Sequence, residues 1–265
     1  MNRYRYSVIL LTQLVKTDFK IRYQNSVLGY LWSLLRPLFL FVILYLVFTY
    51  FLRVGKGVPN YPVYLLLGIV LWNYFSEVTT GSVGAIVAKG ELLRRISFPR
   101  YVIILAGSFS ALINLFLNFV VIAVFMILSG IGFSWQMLLI IPLIVELFIF
   151  SIAIAFFLSA LFVRFRDVSY IWEVVMQAGF YATPILYPLS IIPYPKVQKA
   201  LLLNPMAQII QDARQVLVTP TTATIGDVYG GNKTVWLAPI GLTILLVVLA
   251  SVYFRRRSKF FAEDV

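Results

Sequence analysis

The sequence predicts an all-α integral membrane protein with six transmembrane helices in a single domain, 1–265. Composition is the first reason. Hydrophobic residues make up 61% of the chain and charged residues 12%, whereas soluble domains have about 45–50% apolar residues. The second reason is that apolar stretches of roughly 20 residues, enough to span a bilayer, recur at 29–52, 61–88, 101–129, 135–163, 168–187 and 236–254.

Basic residues predict the orientation of these spans. They concentrate at one set of span ends, at Arg3, Arg5, Lys16, Lys20, Arg22, Lys89, Arg94, Arg95, Arg100, Arg164, Arg166, Arg255, Arg256, Arg257 and Lys259. The short loops at the opposite ends carry Arg53 and Lys56. Because positively charged loops stay on the cytoplasmic side, both termini are expected to be cytoplasmic.

Composition also excludes several classes of function. The net charge of +12 is concentrated at span ends, where it faces anionic lipid headgroups, so nucleic-acid binding is not expected. The chain has no Cys and no His, which removes thiolate ligands and the commonest metal ligand and general base. We therefore expect no catalytic residue, metal site or cofactor on this chain.

The first element, 1–28, is predicted to be an amphipathic helix lying on the cytoplasmic surface. Apolar residues recur at helical spacing, at Val8, Leu11, Val15 and Phe19. Polar residues occupy another face, at Thr12, Lys16, Lys20 and Tyr23. A generic basic membrane anchor would have the same pattern.

A second basic segment, 89–100, has the sequence KGELLRRISFPR and separates the second span from the third. By the orientation above, it lies on the same side of the membrane as the N-terminal helix. Two positively charged elements on one side favour a membrane channel subunit that is driven by a partner docked there.

The outer connection, 188–235, is too polar and too rich in Pro, Gly and Thr for a further span. Helical patterns at 197–203 and 207–218 predict short helices at the outer interface or dipping into it, where irregular backbone is tolerated if protein or water covers it. A solvated loop is the alternative.

Ionisable residues inside the spans are candidates for function. For Glu77 and Glu146 we favour hydrogen bonds between helices over a proton relay, because no His or intramembrane Lys accompanies them. Arg36 either snorkels to the cytoplasmic headgroups or lines the entrance of a pore.

Aromatic residues crowd the first and fifth spans, at Phe39, Phe41, Tyr45, Phe48, Tyr50, Phe51, Trp172, Phe180, Tyr181 and Tyr187. Rings of this kind stack on sugar faces and suit a sliding polysaccharide. Tyr and Trp also gather at membrane interfaces and Phe faces lipid, and the spacing by itself favours this second interpretation.

Four segments in order carry a family resemblance: TDFKIRYQNSVLGYLWSLLRPL, ELLRRISFPR, RFRDVSYIWEVVMQAGFYATPILYP and LNPMAQIIQDAR. They resemble the successive signatures of type-2 ABC exporter permeases, above all the polysaccharide and polyol-phosphate group that exports O-antigen, capsule or teichoic acid. The resemblance implies a homodimer in the bacterial cytoplasmic membrane that moves a lipid-linked glycan. It also implies two separate ATPase subunits on the cytoplasmic side, which bind the ATP and Mg.

The resemblance further implies where the sites lie. ATPase docking would use the N-terminal helix and the short helix around 91–96, with Lys16, Asp18, Lys20, Arg22, Tyr23, Glu91, Leu92, Leu93, Arg94, Arg95, Ile96, Phe98, Pro99 and Arg100. The first and fifth spans would enclose the pore, lined by Arg36, Phe41, Tyr45, Phe48, Trp172 and Tyr181. Re-entrant helices within 188–235 would form the outer gate.

Three other functions remain open on the sequence. A small-molecule or drug exporter of the same superfamily would share the fold but lack a continuous aromatic pore. A membrane enzyme acting on lipid-linked sugars would need paired carboxylates or a metal site at one membrane face. A secondary carrier would transport without an ATPase.

Overall fold

The structure is a computed structural model, and it describes residues 3–23, 29, 31–55, 57–91 and 99–258. Within these ranges the chain forms helices, turns and loops, and no β-strand occurs there. The all-α prediction is therefore confirmed for the described part of the chain.

The first half of the chain contains the helices α1 (Arg3–Tyr23), α2 (Leu31–Leu46), α3 (Tyr61–Val83), α4 (Ala85–Ala88) and α5 (Tyr101–Leu128). Helix α2 continues as a π-helical turn, Val47–Phe51. The second predicted span ends earlier than expected, because the helix breaks at Gly84 between α3 and α4.

The second half contains α6 (Ile140–Arg164), α7 (Val168–Ala182), α8 (Pro195–Leu202), α9 (Pro205–Leu217), α10 (Ile225–Val228) and α11 (Leu237–Arg257). Turns of 3₁₀-helix, Trp135–Leu139 and Lys233–Trp236, precede α6 and α11. Helices α8 and α9 match the short helices predicted in the outer connection. The side chain of Asn204 caps α9 by accepting a hydrogen bond from the amide of Met206.

Five segments of the described chain are long and apolar enough to cross a membrane: Leu31–Phe51, Tyr61–Val83, Tyr101–Leu128, Trp135–Arg164 and Thr234–Arg257. They coincide with the first four predicted spans and the sixth. The protein is therefore a multi-pass membrane protein.

Helix α7 occupies the place of the predicted fifth span but is shorter than expected. Its 15 residues extend about 22 Å, less than the roughly 30 Å of a hydrocarbon core. The helix ends at Ala182 because Pro184 disfavours helical backbone at the preceding residue, and Thr183 accordingly has an extended ψ of 139°. The expectation of a helical run through residue 187 is wrong.

Helix α3 lies at the centre of the molecule. In an apolar 18-residue stretch of its span 78% of residues are buried, against 11–28% in the corresponding stretches of the other four candidate spans. The helices α2, α5, α6, α7 and α9 all pack around it. A central helix with so little exposed surface fixes the positions of its neighbours, because all five are packed against it.

Candidate functional site

Helix α1 packs on the beginning of α5. Leu10, Leu11 and Leu14 contact the buried side chains of Val102 and Ile103. Val8 and Ile9 are 44% and 49% exposed, so the apolar surface of α1 is divided between α5 and the exterior. Burial of the leucines anchors the N-terminal helix to the membrane bundle.

An ion pair joins the two basic segments that the sequence singled out. Lys89 Nζ lies 3.1 Å from both carboxylate oxygens of Asp18, and the two side chains are 27% and 29% exposed. The N-terminal helix and the start of 89–100 thus lie side by side.

Some of the other predicted docking residues lie in the described part of the chain, and the rest do not. Lys16, Lys20 and Glu91 are exposed, and Pro99 and Arg100 are half-buried directly before α5. The remainder lie outside the described residues, namely Leu92, Leu93, Arg94, Arg95, Ile96 and Phe98, together with the side chains of Arg22 and Tyr23.

The aromatic residues of α2 partly pack inside the subunit. Phe41 is 4% exposed; its ring stacks on Tyr45 at 5.7 Å and meets Phe125 of α5 edge-on at 5.5 Å. Phe48 is half-buried against the same core. Phe41 therefore offers no surface to a substrate in this conformation, and the pore assignments of Tyr45 and Phe48 stay predictions.

Helix α7 has one face on α3 and one exposed face. The indole nitrogen of Trp172 donates to Thr79 Oγ1 at 3.2 Å, and Phe180 lies edge-on to Trp72. Gly179 makes this packing possible, since a Cβ there would lie 2.9 Å from the Trp72 ring. The exposed face comprises Tyr170, Ile171, Val174, Val175 and Tyr181.

A buried arginine holds the turn that follows α7. Arg214 of α9 is 0% exposed. Its guanidinium donates to the carbonyl oxygens of Pro184 and Ile185, each at 2.6 Å, and to that of Tyr64 at 3.0 Å. It also lies 3.6 Å from the centroid of the Tyr64 ring. One side chain thus joins α9, α3 and the 183–187 turn.

Two further contacts complete this arrangement. The hydroxyl of Tyr61 donates to the carbonyl of Leu186 at 2.7 Å. Gly68 faces the guanidinium so closely that a Cβ there would lie 2.5 Å from Arg214 Nη2. Glycine is therefore the residue that lets α3 approach the arginine.

Two carboxylates meet beside α9. Gln208 donates to Asp212 Oδ2, and the Glu146 carboxylate of α6 lies close enough to act on Asp212 electrostatically. Glu146 Oε1, Gln208 Oε1 and Asp212 Oδ1 are buried without a hydrogen-bond partner among the described residues. Burial raises the pKa of Asp212 to about 7, the hydrogen bond from Gln208 opposes this, and Glu146 and Asp227 add to it. Asp212 is 1% exposed, so a substrate has no access to its carboxyl.

Sequence reasoning missed both clusters. The signal that could have found them is the mixed pattern of α9, in which Gln208, Asp212 and Arg214 interrupt an otherwise apolar helix. Polar residues that are placed among buried positions need partners from other elements.

Known proteins resemble this chain over most of its length. The sequence profile of the ABC-2 type transporter family matches residues 9–218. The chain is 29% identical to the O-antigen export system permease protein RfbA of Myxococcus xanthus, over 99% of this chain and 97% of that protein. It is 33% identical to the protein of the same name from Klebsiella pneumoniae, over 82% and 83%. To the polysialic acid transport protein KpsM of Escherichia coli it is 25% identical, over 88% of each chain. This protein belongs to the ABC-2 type transporter family.

Proposed function

We propose that this chain is the transmembrane subunit of an ATP-driven exporter that moves a lipid-linked cell-surface polysaccharide, of the O-antigen, capsule or teichoic acid type, out of the cytoplasm. The observation that carries the proposal is the similarity, over nearly the whole chain, to permeases named for O-antigen export. The chain supplies the pore and the coupling surface. A separate ATPase subunit binds ATP and Mg and hydrolyses the nucleotide.

The contact between α1 and Lys89 supports the docking part of this proposal. The Asp18–Lys89 pair joins Lys89 to α1, and the leucines of α1 pack on α5. In our proposal a force applied by an ATPase to α1 would therefore reach α5 directly. Exposed Lys16 and Lys20 supply positive charge that orients an acidic docking partner.

The exposed apolar faces support a homodimeric pore. In an 18-residue stretch of the α2 span 11% of residues are buried, and Phe39, Ile43 and Tyr50 are between 56% and 65% exposed. On α7, Tyr170, Val174 and Tyr181 are between 62% and 71% exposed. In our proposal these faces of two subunits enclose the glycan, and Arg36, also exposed, lies at the cytoplasmic entrance.

In the proposed topology α7 and the 183–187 turn together complete a sixth crossing, so both termini are cytoplasmic. The turn needs partners for its backbone, because carbonyl oxygens at membrane depth cannot be left unsatisfied. Arg214 and Tyr61 satisfy those of Pro184, Ile185 and Leu186. The outer helices α8 to α10 would then form the outer gate above the pore.

Purification of the tagged chain from its native membrane tests the proposal. We expect a nucleotide-binding subunit to co-purify in a one-to-one ratio, with ATPase activity, and two copies of each chain by native mass spectrometry. Deleting the gene for the chain should abolish surface polysaccharide while lipid-linked glycan accumulates inside. Transport by the chain without any ATPase would instead identify a secondary carrier.

A further inference from the structure

Two side chains one turn apart on α9 share a single hydrogen bond and leave one polar atom each without a partner. Gln208 Nε2 donates to Asp212 Oδ2. The second carboxyl oxygen, Asp212 Oδ1, and the amide oxygen, Gln208 Oε1, are buried and have no hydrogen-bond partner among the described residues. Asp212 and Gln208 are 1% and 2% exposed, so bulk water does not reach these atoms. Both atoms are acceptors while the carboxyl is ionised, and two acceptors cannot bond to each other.

A proton on Asp212 Oδ1 would satisfy both atoms at once. A protonated carboxyl has one O–H donor beside one acceptor oxygen, and an amide has an NH₂ donor beside its carbonyl oxygen. The existing bond already holds the two groups side by side. The proton would therefore add a second, parallel hydrogen bond, from Asp212 Oδ1–H to Gln208 Oε1. Because an unpaired buried polar atom is costly, the neutral carboxyl is the form that fits this part of the structure.

The charges around Asp212 favour the same form. Burial raises the pKa of Asp212 to about 7; the hydrogen bond from Gln208 opposes this rise, and the charges of Glu146 on α6 and Asp227 on α10 add to it. An ionised Asp212 would thus be a buried anion near two other carboxylates. Burying an unpaired charge is far more costly than burying a neutral acid.

No described residue offers Asp212 a cation in place of the proton. Arg214, two positions along α9, donates to backbone carbonyl oxygens and lies over the Tyr64 ring. In the described part of the chain no group of three or more acidic side chains could hold a metal ion. The other titratable side chains on helices that contact α9 are phenols, cations engaged elsewhere and exposed cations: Tyr61, Tyr64, Lys196, Lys199, Arg255, Arg256 and Arg257.

We propose that Asp212 is protonated while α9 is packed in place, and that the Asp212–Gln208 pair is a proton-dependent latch of the outer helices. The inference rests on the proposed function, in which α8 to α10 form the outer gate. When the Oδ1–H bond breaks, the proton passes to water on the outer side and the electron pair stays on the carboxylate. The second hydrogen bond is then lost and a buried charge faces Glu146, so α9 leaves α6 more easily. The pH outside the cell therefore sets how firmly the gate is closed.

Infrared difference spectroscopy tests the proton itself. The complex, purified in lipid, is titrated between about pH 5 and about pH 9, and the C=O stretch of protonated carboxyl groups is followed. We expect a wild-type band that disappears near neutral pH and that Asp212→Asn lacks. Asp167→Asn, at an exposed carboxylate, is the matched control and should keep the band. Identical difference spectra for the wild type and Asp212→Asn overturn the proposal.

A second variant decides the matter if Asp212→Asn does not accumulate in the membrane. Glu146→Gln removes one of the charges that raise the pKa of Asp212, so the midpoint of the band should move to lower pH. A midpoint that does not move, or that moves to higher pH, contradicts the arrangement of the two carboxyl groups.

Thiol labelling tests the latch. The chain has no Cys, so Ala207→Cys, at a fully buried position of α9, reports the access of a water-soluble maleimide when α9 opens. Lys196→Cys, at an exposed position of α8, corrects for the effect of pH on thiol reactivity. The ratio of the two labelling rates should rise at least about tenfold from about pH 5 to about pH 8, because the packed helix holds the proton more tightly than the open one. In Asp212→Asn the ratio should stay constant, since the new amide keeps both hydrogen bonds and cannot ionise.

The outcomes separate the latch from the proposed function, because neither readout needs transport. A labelling ratio that is independent of pH in the wild type overturns the latch, and so does an equal pH dependence in Asp212→Asn. Either result in cells that still export glycan leaves the proposed function intact. Cells that show both pH effects while deletion of the gene leaves surface polysaccharide unchanged overturn the proposed function, and with it the role of the pair in a gate.

Discussion

Arg214 carries a full positive charge in a place where the surrounding groups are carbonyl oxygens rather than carboxylates. Burying an unpaired charge is very costly, and burial accordingly lowers the pKa of this guanidinium, while the Tyr64 and Tyr61 side chains oppose the change. Three carbonyls, the Gln211 side chain at 3.1 Å and the Tyr64 ring offset the cost. Arginine suits this site because its five N–H groups point in fixed directions.

Arg214→Ala should therefore destabilise the protein strongly. It leaves the carbonyls of Tyr64, Pro184 and Ile185 without their donor, at a cost of about 3 kcal/mol. The apparent Tm of the purified protein should fall by several degrees, as followed by tryptophan fluorescence. Lys196→Ala, which removes an exposed cation of the same connection, is the control and should have little effect. Equal Tm values for the two variants would contradict the role of Arg214.

Asp212, in a helix outside the five candidate spans, should make stability depend on pH. Its pKa is raised from 3.8 to about 7 by burial, with the charges of Glu146 and Asp227 contributing. The folded protein thus binds this proton more tightly than the unfolded chain, and stability falls as pH rises from about 4 to about 7. Asp212→Asn cannot ionise, so its Tm should change less between about pH 5 and about pH 8. A wild-type Tm that rises between these pH values would refute the raised pKa of Asp212. Asp167→Asn, at an exposed carboxylate, is the control.

At the scale of the elements, α3 and α9 approach each other closely at Gly68. Gly68 permits it, because the space that a side chain would occupy already contains Arg214 Nη2 and the carbonyl oxygen of Ile185. The packing of α7 on α3 depends in the same way on Gly179 against Trp72. Small residues at contacts between helices are the usual means of close packing in membranes.

Gly68→Ala should separate α3 from α9. The added methyl would lie 2.5 Å from Nη2 and 3.3 Å from the Ile185 oxygen, and overpacking of this kind costs about 1–3 kcal/mol. Gly241→Ala in α11 is the matched control, since a Cβ there meets nothing within 4 Å and alanine favours the helix. We expect a lower Tm for the first variant and an equal or higher Tm for the second. A lower Tm for Gly241→Ala than for Gly68→Ala would show that Arg214 moves aside without loss of stability.

The pair between Asp18 and Lys89 makes a prediction for the N-terminal helix. Asp18→Lys places a second cation beside Lys89, which lies 71 positions away in sequence. We expect this change to weaken retention of the ATPase during purification. Adding Lys89→Asp restores opposite charges and should restore retention. Asp167→Lys, an exposed reversal elsewhere, controls for the change in net charge. Because the pair is partly exposed, its effect on stability should be about 1 kcal/mol or less. If Lys89→Asp fails to restore retention of the ATPase, the pair has no role in docking.

On the scale of the whole molecule, the number of crossings depends on α7. Five segments of the described chain are long and apolar enough to span a membrane, and the sixth crossing in our proposal combines a short helix with a turn. The chain has no Cys, so single cysteines report their side of the membrane without background. Arg166→Cys and Lys196→Cys lie before and after α7 and its turn.

We expect a membrane-impermeant maleimide to label Lys196→Cys in intact cells and to label Arg166→Cys after lysis alone. Arg256→Cys, near the end of α11, should behave like Arg166→Cys. Labelling of the cysteines at 166 and 196 from the same side would show that α7 does not cross. That result would place the termini on opposite sides and overturn the six-span topology.

The sequence predicts a structural feature well when the residues that determine the feature are neighbours in the chain. Hydropathy found the five candidate spans because roughly 20 apolar residues in a row suffice to cross a bilayer. The early end of α7 was also readable, since Pro184 follows Thr183 directly. Whether an aromatic ring packs inside the subunit or is exposed depends on distant helices and could not be read from the local sequence: Phe41 is 4% exposed and Tyr181 is 62% exposed.

The sequence by itself determined that this protein is helical, crosses the membrane repeatedly and carries its positive charge at one set of span ends. These properties follow from composition and from the cost of placing polar groups in lipid, which act on each segment separately. The tertiary structure decided that α3 is central, that Arg214 joins the 183–187 turn to two helices and that a cavity opens between α2, α3 and α5. Such features depend on which faces of distant helices meet, because a buried polar group is stable where another part of the chain supplies its partner.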